Sequence, residues 1–140
     1  MAIVGHGVDI VSNARIARML AEHGEVFLSR CFTARERSYC DSHKQRVERY
    51  AARFAAKEAV VKALGTGLRG QMAWTDMEVL PDALGKPMLT LSGETARMAA
   101  AMGITSWHLS LSHTRDDRTQ TPTNEPSGHS IASVVAESLR

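Results

Sequence analysis

Aromatic side chains are scarce: two Trp, two Tyr and three Phe among 140 residues. Proteins that hold single-stranded nucleic acid stack its bases on rings, and so few rings leave no stacking platform once a core is packed. Cysteine is limited to Cys31 and Cys40. They form neither a CxxC pair nor a metal-ligand spacing, so a zinc site is excluded and packed, reduced thiols are expected. No apolar run approaches the roughly 20 residues needed to span a bilayer. The start, Met1-Ala2-Ile3-Val4-Gly5-His6, lacks a basic segment followed by an apolar one, so no secretory signal is read. The expected setting is cytoplasmic, with no membrane partner. Excess charge is also missing: 17 Lys and Arg against 15 Asp and Glu leave a formal +2, which argues against a nucleic-acid partner. The basic residues are uneven, however, and run from Arg15 and Arg18 to Arg35, Arg37, Lys44, Arg46, Arg49, Arg53 and Lys57. A local basic patch for a phosphorylated or acidic partner is compatible with that spread.

What is present fits one domain over residues 1–140 with a real core. Ile3 to Val11 alternates as a strand, with Val4, His6, Val8 and Ile10 on one face and Gly5, Gly7, Asp9 and Val11 on the other. The two glycines on the Asp9 face are expected to leave open space beside its carboxylate. Ser12 or Asn13 caps a helix from about Ala14 to His23. Thr33-Ala34-Arg35-Glu36 matches a capping box that opens a second helix, to about Ser42. A longer helix is expected from about Val47 to Leu64. Strands follow at Asp76 to Leu80 and Met88 to Leu91, joined by the turn Leu84-Gly85-Lys86-Pro87. Ser92 caps a helix from about Gly93 to Met102. Trp107 to Ser112 alternates as a half-buried strand, and Ile131 to Ala136 closes the set. Residues 114–128 are polar, contain Pro122 and Pro126, and read as a mobile loop. Strands and helices do not alternate as βαβ units. The fold class is therefore α+β, a mostly antiparallel sheet packed against helices.

The stretch Arg53 to Gly67 carries the chemistry. It reads as an Ala-rich helix stopped by Gly65. At about 100° per residue, Arg53 and Lys57 lie within about 40° of each other, and Glu58 and Lys62 form a second stripe about 140° away. A surface helix pools its charges on one face; this one sets a carboxylate and an ammonium in a largely apolar surround. Such a pair is often only an i,i+4 helix contact. Charge in apolar surroundings is nevertheless costly unless paired or bound to an ion, which marks a site. Asp9 on its strand, Glu58 and Lys62 on the helix, and His113 just past a strand are the polar residues in the least surface-like settings. Two carboxylates with open positions suit Mg²⁺, which keeps several waters and takes further ligands from substrate phosphates. Lys62, one turn from Glu58, would neutralise phosphate charge, and the glycines at the helix end let a ligand approach the backbone. The pattern is one for handling a diphosphate.

The runs Gly5-His6-Gly7-Val8-Asp9-Ile10-Val11, Arg53 through Gly67, Gly85-Lys86-Pro87 and Ser110-Leu111-Ser112-His113-Thr114 resemble the holo-acyl-carrier-protein synthases, the small, single-repeat 4'-phosphopantetheinyl transferases. The resemblance spans about Ile3 to Thr114 and implies the phosphopantetheinyl transferase fold. It implies a reaction in which a serine hydroxyl of an apo acyl carrier protein attacks the β-phosphate of coenzyme A. The phosphopantetheine arm moves to the serine, adenosine 3',5'-bisphosphate leaves, and the product serves fatty-acid biosynthesis. By resemblance Asp9 and Glu58 bind Mg²⁺, Lys62 contacts the transferring or departing phosphate, and Ser112 and His113 lie against the coenzyme A phosphates. Arg53, Lys57, Gly65 and Thr66 line the nucleotide side, and Arg15 meets the acidic carrier protein. Glu58, a metal-activated water and His113 are all candidates for the base, with the first two ahead of the third. The resemblance also implies a homotrimer with active sites at subunit boundaries. The chain departs from the family after His113, where Arg115-Asp116-Asp117-Arg118 opens a longer polar insertion. Two other readings stand beside this one. One is a catalytically idle coenzyme A or nucleotide module, which the insertion keeps open. The other is an RNA- or ribosome-associated protein, drawn from the basic middle helices.

Overall fold

A computed structural model describes residues 1–114 and 126–139. Its elements run β1 (Ala2–Ser12), α1 (Asn13–Cys31), α2 (Ala34–Asp41), α3 (Arg46–Leu64), a short 3-10 turn (Trp74–Asp76), β2 (Met77–Pro81), β3 (Pro87–Leu91), α4 (Gly93–Ala101), β4 (Ser106–His113) and β5 (His129–Ser138). Strands β1, β5 and β4 form an antiparallel three-stranded sheet in that order, and β2 and β3 form an antiparallel hairpin. The fold is α+β, as the patterning implies.

Helix α3 lies on one face of the larger sheet. The strands present Gly5, Gly7, Asp9 and Val11 from β1 and Ala132, Val134 and Ala136 from β5 to that side. From the helix, Ala55, Ala56, Ala59 and Val60 are fully buried. Small residues on both surfaces let the backbones meet. A Cβ on Gly7 would lie 1.9 Å from the Ala59 carbonyl oxygen, and one on Gly5 would lie 2.3 Å from that of Ala63. The space expected beside Asp9 is therefore not open. The main chain of α3 fills it, and the glycines are there to admit the helix.

The opposite face of the sheet is uncovered and apolar. Val4, Val8 and Ile10 are 39, 50 and 60% exposed. Across the ladder, Ile10 pairs with Ile131 and His6 with Val135. The register slips between Ile3 and Gly5, a bulge that fits Val4 into the edge strand.

The capping signals of the first three helices hold. Ser12 Oγ accepts from the Arg15 amide. Thr33 and Glu36 complete their capping box, and Gly65 ends α3 with φ 77°. Two expectations change. Helix α1 does not stop at His23: Gly24 breaks its dihedrals at φ 45°, and the chain then re-enters the helix to bury Phe27, Leu28 and Cys31. Ser92 does not cap α4 through its side chain. Asp76 does so from a distance, with Oδ2 accepting from the Thr95 amide and hydroxyl. The loop expected at 114–128 falls largely on 115–125, outside the described residues.

Candidate active site

Beyond the Gly5 and Gly7 contact, β1 carries Asp9 past the side of α3. Lys62 Nζ donates to Asp9 Oδ1 and to the Val8 carbonyl, each at 3.0 Å. Glu58, one turn earlier on α3, is half-buried. Burial first, and then the neighbouring Asp9 carboxylate, push the Glu58 acid above the usual carboxylate range, while Lys62 and Arg15 pull it back. Three residues expected at the reacting centre, Asp9, Glu58 and Lys62, are thus brought together. Arg15, in the first turn of α1, joins them: its field reaches Glu58 and its guanidinium lies 6.0 Å from the Phe54 ring centre. Glu58, Lys62 and Gly65 line an open cleft with Leu68 and Trp74. Thr66 follows Gly65, its hydroxyl donating to the Gly67 carbonyl at 2.8 Å.

The remaining residues gather elsewhere. Arg53, Ser112 and His113 line a different cleft, of about 220 Å³, with Tyr39, Arg49, Gly85 and Pro87. Arg53 is buried and held rigidly there. Its Nε donates to the Val79 carbonyl at 3.0 Å, its Nη1 to the Arg49 carbonyl at 3.3 Å, and its guanidinium lies 4.4 Å from the Tyr39 ring centre. His113 and Ser112 are exposed at the end of β4. One chain therefore offers two separate parts of the expected site, with α3 between them.

Lys57 is a correction. Its side chain faces the core, only 1% exposed, and not a ligand. Its ammonium donates to Glu36 Oε1 at 2.6 Å, the Cys31 carbonyl at 2.6 Å and the Trp74 carbonyl at 3.2 Å. An ammonium has three protons, and all three are taken. Burial pulls its pKa below the ordinary lysine value, against the opposing pull of Glu36. The counter-ion Glu36 is itself fully buried and also accepts from the Thr33 and Val79 amides. Lys57 thereby ties the ends of α1 and α2 and the turn before β2 to the helix that carries Glu58.

Among the described residues, no group of three or more His, Cys, Asp or Glu side chains is placed to hold a metal ion. The candidate is the Asp9–Glu58 pair alone. It fits a hard cation: both donors are carboxylate oxygens, and their proximity raises the proton affinity of Glu58. Two protein ligands leave the rest of the shell to water and substrate, as Mg²⁺ prefers.

Sequence reasoning missed Arg49 and Tyr39 as cleft residues. Arg49 stands four residues before Arg53 and so on the same helix face, a signal that was available. Its Nε is the one buried side-chain nitrogen or oxygen without a partner among the described residues. Tyr39 gave no local signal, because only the packing of α2 on α3 brings it there. No described helix is long and apolar enough to cross a membrane.

Known proteins share this sequence and fold. The family model of the 4'-phosphopantetheinyl transferase superfamily matches residues 5–121. The holo-[acyl-carrier-protein] synthase of Trichlorobacter lovleyi is 44% identical over 135 residues, covering 96% of this chain and 98% of the relative. The crystal structure of the Neisseria meningitidis holo-[acyl-carrier-protein] synthase superposes with a TM-score of 0.78 at 34% identity, covering 97% of this chain and 99% of that one. That of the Helicobacter pylori enzyme, solved in complex with coenzyme A, gives 0.72 at 31% identity over 94% and 99%. The chain belongs to the 4'-phosphopantetheinyl transferase superfamily and, within it, to the holo-[acyl-carrier-protein] synthases.

Proposed function

We propose that the enzyme transfers the 4'-phosphopantetheine arm of coenzyme A to a serine of an apo acyl carrier protein, with Mg²⁺, releasing adenosine 3',5'-bisphosphate. The observation that carries the reading is that Asp9, from the first strand, meets Lys62 and the field of Glu58, which themselves line an open cleft. The coenzyme A bound to the Helicobacter pylori relative supports the donor. In the transfer the serine oxygen bonds to the β-phosphorus and the bond from that phosphorus to the bridging oxygen breaks. The electron pair leaves with the bisphosphate. Phosphoryl transfer asks a protein mainly for positioning and charge stabilisation. Lys62 stabilises charge on the phosphates, and Arg15 guides the acidic carrier protein to Glu58. Glu58 is a candidate to accept the serine proton, through an oxygen that the cation leaves free. Held by Asp9 and Glu58, Mg²⁺ would neutralise charge on the diphosphate.

Arg53, Arg49, Ser112 and His113 offer the second cleft to the nucleotide end of coenzyme A. On one chain that cleft and the Glu58–Lys62 cleft share no lining residue. The division supports a homotrimer in which neighbouring subunits complete each site, and the uncovered apolar face of the sheet supports self-association.

The test is the mass of an apo acyl carrier protein after incubation with the enzyme, coenzyme A and Mg²⁺. A gain of one phosphopantetheine arm is expected, lost in Asp9→Asn and Glu58→Gln. No gain with the folded wild type overturns the activity, and undiminished rates in either variant overturn the metal pair.

A further inference from the structure

Lys62 and Lys57 stand on the same helix and are held in opposite ways. Lys57 is fixed by three acceptors in the core. The Lys62 side chain is 53% exposed, against 17% for the Asp9 it rests on. A half-exposed ion pair on a flexible stem is weak and readily exchanged. The Lys62 ammonium nevertheless sits on the Asp9 carboxylate, one of the two acids that would hold the ion. The groups whose fields reach Glu58 are Asp9, Lys62 and Arg15. With Glu58 itself they make two negative and two positive charges, which cancel. A divalent cation entering alone meets no net attraction and must compete with an ammonium for its ligand.

A diphosphate changes both terms. Its oxygens are multiply charged acceptors for Lys62, stronger than the single Asp9 carboxylate. Once Lys62 turns to them, Asp9 is released and the cluster carries net negative charge, which draws the cation in. We propose that Lys62 is a placeholder cation on Asp9, whose transfer to the coenzyme A diphosphate makes divalent-metal binding and coenzyme A binding depend on each other. This rests on the reading of Asp9 and Glu58 as the metal pair. Linkage makes the coupling reciprocal: coenzyme A tightens the metal by the factor by which the metal tightens coenzyme A. Lys62 then sets the order of assembly of the site as well as contacting phosphate.

Mn²⁺ is the probe, with its free concentration counted by electron paramagnetic resonance. The intact protein is titrated with and without coenzyme A, and without carrier protein so that nothing turns over. Wild type should bind Mn²⁺ weakly alone and more tightly with coenzyme A. Lys62→Met should bind Mn²⁺ alone roughly tenfold more tightly than wild type, the effect of removing one nearby positive charge from a half-solvated site. Its gain from coenzyme A should shrink by a similar factor. Lys62→Gln, which keeps a polar head, should behave alike and guards against a misfolded Met variant. If both variants bind Mn²⁺ alone no more tightly than wild type, or keep the full gain from coenzyme A, the placeholder role is wrong. Loss of Mn²⁺ binding in Asp9→Asn would then still uphold the metal pair. If Asp9→Asn binds Mn²⁺ as wild type does, the pair fails and the inference fails with it.

Discussion

At the scale of single residues, the two lysines of α3 divide the work between holding and acting. Lys57 was expected to face coenzyme A, because on a helical wheel it sits beside Arg53. The wheel gives direction but not partner. Glu36, whose sequence signal is a helix cap, reaches across and neutralises it. Removing one partner of a buried pair leaves the other charge uncompensated. Lys57→Met is therefore expected to cost about 3–5 kcal/mol of stability, read from urea midpoints, while the Michaelis constant for coenzyme A of the folded fraction stays unchanged. A large rise in that constant with stability intact would return Lys57 to the ligand. Asp9, Glu58 and Lys62 were legible because apolar surroundings make isolated charges conspicuous, and because the run Arg53 to Gly67 resembles a known family. Arg15 was legible only through that resemblance, since nothing local separates it from a solvated arginine.

At the scale of elements, strands and helices were read from local periodicity to within a residue or two at most ends. The failures came where the deciding contact is remote. Helix α1 resumes after Gly24 because Phe27, Leu28 and Cys31 have a core to enter, and α4 is capped by Asp76, far back in the chain. The glycines of β1 belong to the same class, since a missing side chain does not say what takes its place. Gly7→Ala should destabilise the protein by about 3 kcal/mol or more, a cost of overpacking against rigid backbone. Gly5→Ala should cost less, because its Cβ would meet the helix at 2.3 Å instead of 1.9 Å. Equal or negligible losses in chemical denaturation would contradict the contact.

The packing of α2 on α3 carries a pH signature. Burial pushes the Cys40 thiol from 9.0 up to about 12. Tyr50 is also raised, by burial first and then by its hydrogen bond to Asp41. Above pH 9 the unfolded chain gives up the Cys40 proton and the folded chain keeps it. Stability present at neutral pH is therefore lost as pH rises from 9 toward 12, by up to about 1.4 kcal/mol per pH unit for each such group. Urea midpoints should fall over this range, and Cys40→Ala should make the decline shallower. An unchanged slope would mean that the thiol ionises without unfolding.

At the scale of the whole molecule, the described chain carries its two clefts apart and one sheet face bare. If subunits complete one another, two different inactive variants can repair each other. Glu58→Gln and His113→Ala, each inactive alone, should regain part of the wild-type rate when refolded together. The mixture should also sediment as a trimer at micromolar concentration. Activity no higher than either parent, in a mixture shown to exchange subunits, would place both clefts' work within one chain. The contact of Gly5 and Gly7 with α3 bears on all of this. It gauges the span between the two acids by main chain against main chain, with no side chain serving as a spacer. For the ion proposed between these acids, the strand-to-helix distance is then a matter of architecture, and a single side-chain change beside it would not widen it.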